Sequence, residues 1–69
     1  MSTYSLPSQV LISPKFFDRD STEGTLEGEV AAIIHDSDGY MYCAFEMADK
    51  GGMFLIHCGS NFFKGFKNG

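Results

Sequence analysis

The apolar positions of this chain fall into short runs separated by polar, glycine-containing segments. Residues 25–35 (TLEGEVAAIIH), 40–48 (YMYCAFEMA) and 53–58 (MFLIHC) are rich in β-branched and aromatic side chains, and none of them shows a sustained helical period. The segments between them, residues 36–39 (DSDG) and 49–52 (DKGG), begin with Asp and end with Gly, a composition typical of tight reversals. This pattern predicts three antiparallel strands joined by two hairpins.

Two shorter strands are predicted on either side of this unit. Gln9–Ile12 has the length of a brief edge strand, and residues 62–66 (FFKGF) follow a polar break. Between them, Ser13 followed by Pro14 predicts one helical turn, because Ser caps a helix and Pro fits its first position. Residues 1–8 are expected to form a loose N-terminal arm.

The predicted fold class is therefore all-β with at most one short helical turn. The chain is expected to form a single domain over residues 1–69, folded as a small antiparallel meander of four to five strands, with the β meander in residues 25–66. The meander is expected to curl toward a barrel, because curling would cover a second apolar face of the sheet internally.

A type I turn with a glycine bulge at each reversal would set the register of both hairpins. Ile33 would then pair with Cys43 in the first hairpin, whereas Phe45 would pair with Leu55 and Cys43 with His57 in the second. Both faces of such a sheet are apolar, so one layer of strands cannot bury them alone. The second face would be covered by the N-terminal segment, by the C-terminal tail, by a second copy of the chain, or by barrel closure.

Length and cysteine content restrict the class of protein. A chain of 69 residues has one core, and a domain of this size buries only about 60% of the surface that its unfolded chain exposes. Its two cysteines, Cys43 and Cys58, are fewer than a small secreted disulfide framework needs. No apolar run approaches the roughly 20 residues that span a bilayer. We expect a soluble cytoplasmic protein, and the small size suggests an accessory protein of a virus or mobile element.

The distribution of charge suggests the kind of partner. The formal net charge is −4, and all nine acidic residues lie within residues 18–49. A local negative surface would dock on the basic groove of a larger enzyme, such as one that processes nucleic acids, and would guide the encounter through complementary fields. The leading functional prediction is therefore a small stand-alone protein-binding module that inhibits or modulates such an enzyme. The residues predicted to make the acidic contact are Asp18, Asp20, Glu23, Glu27 and Glu29.

The C-terminal segment supports an alternative function. Residues 62–67 (FFKGFK) interleave phenyl rings with lysines, a composition that stacks bases and contacts phosphates in single-strand nucleic-acid binders. The same rings would equally serve as core, because a small domain needs apolar side chains to bury. The residues of this alternative aromatic-basic surface are Tyr40, Tyr42, Phe62, Phe63, Lys64, Phe66 and Lys67.

Catalytic and metal chemistry is not indicated. Cys43, His57 and His35 are the only soft-ligand cluster that the predicted register brings together, but close-set pairs such as C-x-x-C are absent. A thiol among apolar neighbours is also expected to be inert. We therefore expect no catalytic residue, no metal and no cofactor. The expected partner is another protein, and a homodimer is one way to cover the second face. Nucleic acid is a less favoured partner, and no membrane association is expected.

Overall fold

Five antiparallel strands and one 3₁₀ turn make up the regular structure of the computed structural model, which describes residues 7–22 and 24–67. The strands are β1 (Gln9–Ile12), β2 (Leu26–His35), β3 (Met41–Glu46), β4 (Met53–His57) and β5 (Phe63–Lys67), and the 3₁₀ turn is Pro14–Phe16. The all-β class with one short helical turn is confirmed. Among the described residues, no helix is long and apolar enough to cross a membrane.

The strands form one sheet in the order β4-β3-β2-β1-β5. The first four are neighbours in sequence order, as expected of a meander, but β5 pairs with β1 rather than with β4. The sheet is not closed, so β4 and β5 are its two edges. Curling of the sheet toward a barrel stays a prediction.

The first hairpin has the predicted reversal and register. The Gly39 N–H donates to the Asp36 carbonyl (3.1 Å), and Gly39 has a φ of 90°. The Asp36 carboxylate also accepts from the N–H groups of Asp38 and Tyr40, at 2.8 and 3.1 Å. Asp36 therefore ties the turn together from its first position, as Asx turns do. The predicted pairing across this hairpin is confirmed for Ile33, which lies opposite Cys43.

The second hairpin reverses one step earlier than predicted. The Lys50 N–H donates to the Met47 carbonyl at 3.2 Å, so the turn begins at Met47. Glu46 consequently pairs with Met53, whereas a three-residue turn would have placed Glu46 opposite Phe54. The register of β4 is therefore shifted by one residue relative to the prediction.

This shift exchanges the two faces of β4, because side chains alternate along a strand. Cys43 pairs with Ile56, and the predicted Cys43–His57 pair is wrong. The predicted Phe45–Leu55 pair is wrong for the same reason. Cys43 and Phe45 lie on the buried side of the sheet, whereas Leu55 and His57 lie on the opposite side.

A β-bulge divides β2 into two halves. Val30 pairs with Phe45 and Ala32 with Ala44, so Ala31 is the extra residue between them. Residues of β2 before the bulge pair with β1, and those after it pair with β3 alone. The bulge places Val30 on the buried side together with Gly28.

One face of the sheet, called the core face below, carries the buried residues and is covered by the segment around the 3₁₀ turn. The Phe16 ring lies 5.9 Å from the Phe45 ring, and the Phe17 ring lies 5.0 Å from the Phe54 ring. The N-terminal segment is thus the layer that covers this face. The buried apolar cluster on this face consists of Val10, Ile12, Cys43, Phe45, Met47 and Ile56.

The C-terminal tail extends the sheet instead of covering its second face. Phe63 and Phe66 pack against the buried cluster from β5, with their rings 5.1 Å apart. Lys64 is the bulged residue between Phe63 and Gly65 in the pairing with β1. The tail therefore contributes aromatic core at the edge of the same face that Phe16 covers.

Substitution Gly28→Ala tests how tightly the sheet packs behind Phe45. A Cβ at residue 28 would lie 2.8 Å from Cδ2 of Phe45 and 3.0 Å from Sδ of Met47. Because both neighbours are buried, we expect the variant to lose about 1–3 kcal/mol of unfolding free energy, measured by urea denaturation. The control Gly24→Ala, where nothing lies within 4 Å, should unfold at the wild-type urea concentration. Equal midpoints for the two variants would contradict this packing.

Candidate protein-binding surface

The side of the sheet opposite the core, called the outer face below, has large apolar side chains open to solvent. Ile34 is 43% exposed, and Tyr40 and Leu55 are each 53% exposed. Tyr42 and His57 lie beside them and are partly buried. These five residues, Ile34, Tyr40, Tyr42, Leu55 and His57, are called the outer patch. Contiguous apolar surface of this kind on a small domain is typical of an interaction site.

The aromatic end of the outer patch is held in a fixed arrangement. The His57 ring lies 5.2 Å from the Tyr40 ring and 5.0 Å from the Tyr42 ring. On its other side, the His57 ring packs over Gly59, where a Cβ would lie only 2.9 Å from Cε1. Because these rings are already ordered by one another, a partner would lose little entropy in binding them.

A pair of uncompensated carboxylates borders the outer patch. Glu29 and Glu46 lie directly opposite each other on β2 and β3, and both are exposed. The only ion pair in the described part of the chain joins Lys67 Nζ to Glu27 at 3.2 Å, so neither carboxylate of the Glu29–Glu46 pair has a cation. Like charges directly across a strand pair destabilise a sheet. A basic group from another molecule would reduce the repulsion between these two like charges.

The five acidic residues predicted from the sequence do not lie on one surface. Asp18 and Asp20 are exposed on the segment that covers the core face, where the Asp20 N–H donates to Asp18 Oδ1 at 3.1 Å. Glu27 and Glu29 are exposed on the outer face, on either side of the buried Gly28. Glu23 lies outside the described residues.

Glu46 is a candidate site residue that was not predicted from the sequence. Glu46 is the one acidic residue in the apolar run of residues 40–48. It becomes a candidate site residue only because it lies opposite Glu29. That pairing depends on the bulge at Ala31, because without the bulge Glu46 would lie opposite Val30. The bulge has no distinctive sequence mark in a run of alanines and isoleucines.

The residues of the alternative aromatic-basic surface also separate into two groups. Tyr40 and Tyr42 belong to the outer patch beside β4, whereas the C-terminal residues lie on β5 at the other edge of the sheet. Phe63 and Phe66 pack against the core, and Phe62 is 40% exposed near Phe16.

The two lysines of that surface also differ in environment. Lys64 is exposed at the bulge of β5, and Lys67 is engaged with Glu27. β2 and β1 lie between the tyrosines and these lysines. The structure therefore does not bring the rings of Tyr40 and Tyr42 together with the positive charges of Lys64 and Lys67.

The cysteine and histidine side chains are likewise dispersed. Cys43 is buried on the core face, whereas His57 is on the outer face, so the cluster expected around them does not form. No group of three or more His, Cys, Asp or Glu side chains suited to a metal ion occurs within residues 7–22 and 24–67. No cavity opens in this same part of the molecule. What the described surface offers for binding is therefore a flat face rather than a cleft.

Comparisons with known proteins add no identity to this surface. No family model, no curated protein and no solved structure matches the chain. The outer face itself carries the features that bear on function: an apolar patch, an ordered aromatic end, and two acidic residues opposite each other at its border.

Substitution Glu46→Gln tests the repulsion between the paired carboxylates. Removing one charge should raise the free energy of unfolding by about 0.2–1 kcal/mol, measured by urea denaturation at low ionic strength. The gain should shrink at high salt, because exposed charges are screened there. The control Asp49→Asn removes an exposed carboxylate from the second turn and should leave the stability within error of wild type. A Glu46→Gln variant that is no more stable than this control would contradict the assignment.

Thiol labelling tests the placement of the two cysteines, which are both free. Burial, and to a lesser extent the neighbouring Cys58, raises the pKa of Cys43 to about 11. Burial also raises the pKa of Cys58, whose side chain is only partly buried. Because the thiolate is the nucleophile, Cys43 in the folded protein should resist alkylation at pH 8 while Cys58 reacts first. Peptide mass spectrometry would identify the labelled residue, and equal labelling before and after denaturation would contradict the burial of Cys43.

Proposed function

We propose that this protein is a protein-binding module whose outer patch docks on a larger protein that presents basic side chains beside apolar ones. The observation that supports this proposal most directly is the Glu29–Glu46 pair at the border of an exposed apolar patch. Two acidic side chains on facing positions of the free protein would both make favourable contacts with a cationic partner.

The two parts of the surface have different roles in this proposal. The outer patch supplies apolar and aromatic area, which is the main source of affinity in interfaces and is enriched in Tyr at their centres. The Glu29–Glu46 pair supplies orientation and speeds encounter, because complementary charge acts mainly on association rate and specificity. Arg fits best as the opposing side chain, since its planar guanidinium bonds carboxylates in two places.

The class of partner we favour is an enzyme with a basic groove, such as one that processes nucleic acids. Occupying that groove would make this protein an inhibitor or modulator. The net charge of −4 supports attraction to such a surface, and two free thiols support a cytoplasmic setting. Asp18 and Asp20 lie on the segment that covers the core face, so the proposed contact relies on Glu29 and Glu46 rather than on all five acids named from the sequence.

The nucleic-acid alternative receives less support from this geometry. Tyr40 and Tyr42 lie on the same face as Glu29 and Glu46, which would repel phosphates. The nearest lysine on that face, Lys67, already contacts Glu27.

Affinity capture with the tagged full chain tests the proposal. The wild-type protein should retain a specific partner that is released by high salt and by competing nucleic acid, since both would displace an acidic contact from a basic groove. The double variant Glu29→Gln, Glu46→Gln and the single variant Ile34→Thr should each retain less of that partner. Quantitative mass spectrometry of the eluates would measure the loss.

A matched control separates this surface from general acidity. The variant Asp20→Asn, Asp49→Asn also removes two exposed carboxylates, but from the covering segment and the second turn, so it should capture the partner as wild type does. Equal loss with both double variants would contradict the proposed surface. Salt-sensitive binding of labelled single strands that is lost with Phe62→Ala or Lys64→Ala would support the alternative function instead.

A further inference from the structure

The two edges of the sheet differ in how they are protected against pairing. β5 carries Lys64 and Lys67, a bulge at Lys64, and Gly65 with a φ of 135°, and these features are typical of edges that avoid other chains. β4 has the sequence MFLIH, which contains no Asp, Glu, Lys, Arg or Pro, and its pairing with β3 has no bulge. Its unprotected edge is therefore available for a further strand.

The hydrogen-bond pattern shows which backbone groups of β4 point to this open edge. The Cys58 N–H donates to the Met41 carbonyl on β3 at 2.9 Å. Because the N–H and C=O of one residue point to the same side of an antiparallel strand and alternate along it, residues 54 and 56 also bond to β3. Met53, Leu55 and His57 consequently point their N–H groups away from the sheet.

We propose that two copies of this chain pair through β4, antiparallel and about a two-fold axis at Leu55. In the register that pairs every residue of the strand, Leu55 lies opposite Leu55 of the second copy. Met53 lies opposite His57 of the second copy, and Phe54 lies opposite Ile56. The outward N–H groups of Leu55 and His57 gain carbonyl partners. The Met53 N–H becomes a second donor to the His57 carbonyl of the other copy, which already accepts from its own Ser60 N–H at 2.9 Å, and the two sheets become one.

The chemistry of β4 favours a second copy as the occupant. The pairing is self-complementary, because it places Leu55 opposite Leu55, Phe54 opposite Ile56 and Met53 opposite His57, and brings no like charges together. Leu55, which is 53% exposed, would cover its counterpart across the axis, and Met53, which is 56% exposed, would cover His57 of the second copy. The partly buried Phe54 would continue the core face beside Ile56 of the second copy.

The other edge pairings are less favourable. Two β5 strands would bring lysines from both copies together, and the bulge interrupts their ladder. A β4–β5 contact would repeat from copy to copy without a two-fold axis and would form open chains or rings. The β4 pairing closes after two copies and does not depend on the larger partner proposed above.

Charge complementation at Leu55 tests the two-fold axis. Sedimentation velocity of the wild-type chain over a dilution series should show a concentration-dependent monomer–dimer equilibrium. Leu55→Lys and Leu55→Glu should each sediment as monomers, because each would place identical charges opposite one another at the axis. An equimolar mixture of the two variants should recover the dimer, since Lys would then face Glu. The control Lys64→Glu, on the opposite edge, should dimerise as wild type does.

Amide hydrogen exchange locates the contact independently of mutation. The N–H groups of Met53, Leu55 and His57 should exchange about tenfold more slowly when nine-tenths of the chain is dimeric than at high dilution. Amides of β5 should not change. A wild-type chain that is monomeric throughout the dilution series would overturn the proposal. Failure of the mixed variants to associate would also overturn it, as would association that leaves these three amides unprotected.

Discussion

The packing of Phe45 against its neighbours is the contact on which the rest of the architecture depends. Its side chain is fully buried, with Phe16 from the covering segment on one side and Phe54 from β4 on the other. Behind it, Gly28 leaves the space that its ring occupies. A single aromatic side chain thus joins the covering layer to three strands. Because a small core has few such contacts, their loss has large consequences for stability.

The described residues supply one covering layer, which lies on the core face, and this explains the character of the outer face. The phenyl rings of residues 16 and 17 cover the core face, and those of residues 63 and 66 complete its edge. Within the described residues, the opposite side keeps Ile34, Tyr40 and Leu55 exposed. The apolar surface that a larger protein would bury internally is here open to other molecules. The proposed partner surface and the proposed β4 pairing both follow from this.

The sequence was sufficient for the strands and for the first hairpin, because Asp36 and Gly39 favour one turn geometry strongly. It was insufficient for the second hairpin. Two consecutive glycines there accommodate turns of either length, and the turn starts at Met47, which has no turn propensity of its own. One residue of error then exchanged the faces of β4 and placed His57 beside Cys43.

The candidate site was harder to predict than the fold for a related reason. Glu29 and Glu46 are seventeen positions apart (46 minus 29), and they oppose each other only because Ala31 is bulged out of the ladder. The distribution of charge along the sequence shows that the middle of the chain is acidic. It does not show that Asp18 and Asp20 lie on the covering segment whereas Glu27 and Glu29 lie on the outer face. The aromatic tail offered two interpretations, core or ligand platform, and the contacts of Phe63 and Phe66 place these two rings in the core.

The position of β5 beside β1 has a consequence for how the protein is made. β1 lies near the start of the chain, but one of its two neighbours is synthesised after all the other strands. Until β5 leaves the ribosome, the Gln9–Ile12 strand has an unpaired side and the hydrophobic cluster around it lacks two of its phenyl rings. Completion of the native sheet therefore requires β5 to pair with β1, a contact between distant parts of the chain, and contacts of this kind slow folding. A chain that has not yet paired β5 keeps apolar surface exposed, which is the condition under which incompletely folded proteins aggregate.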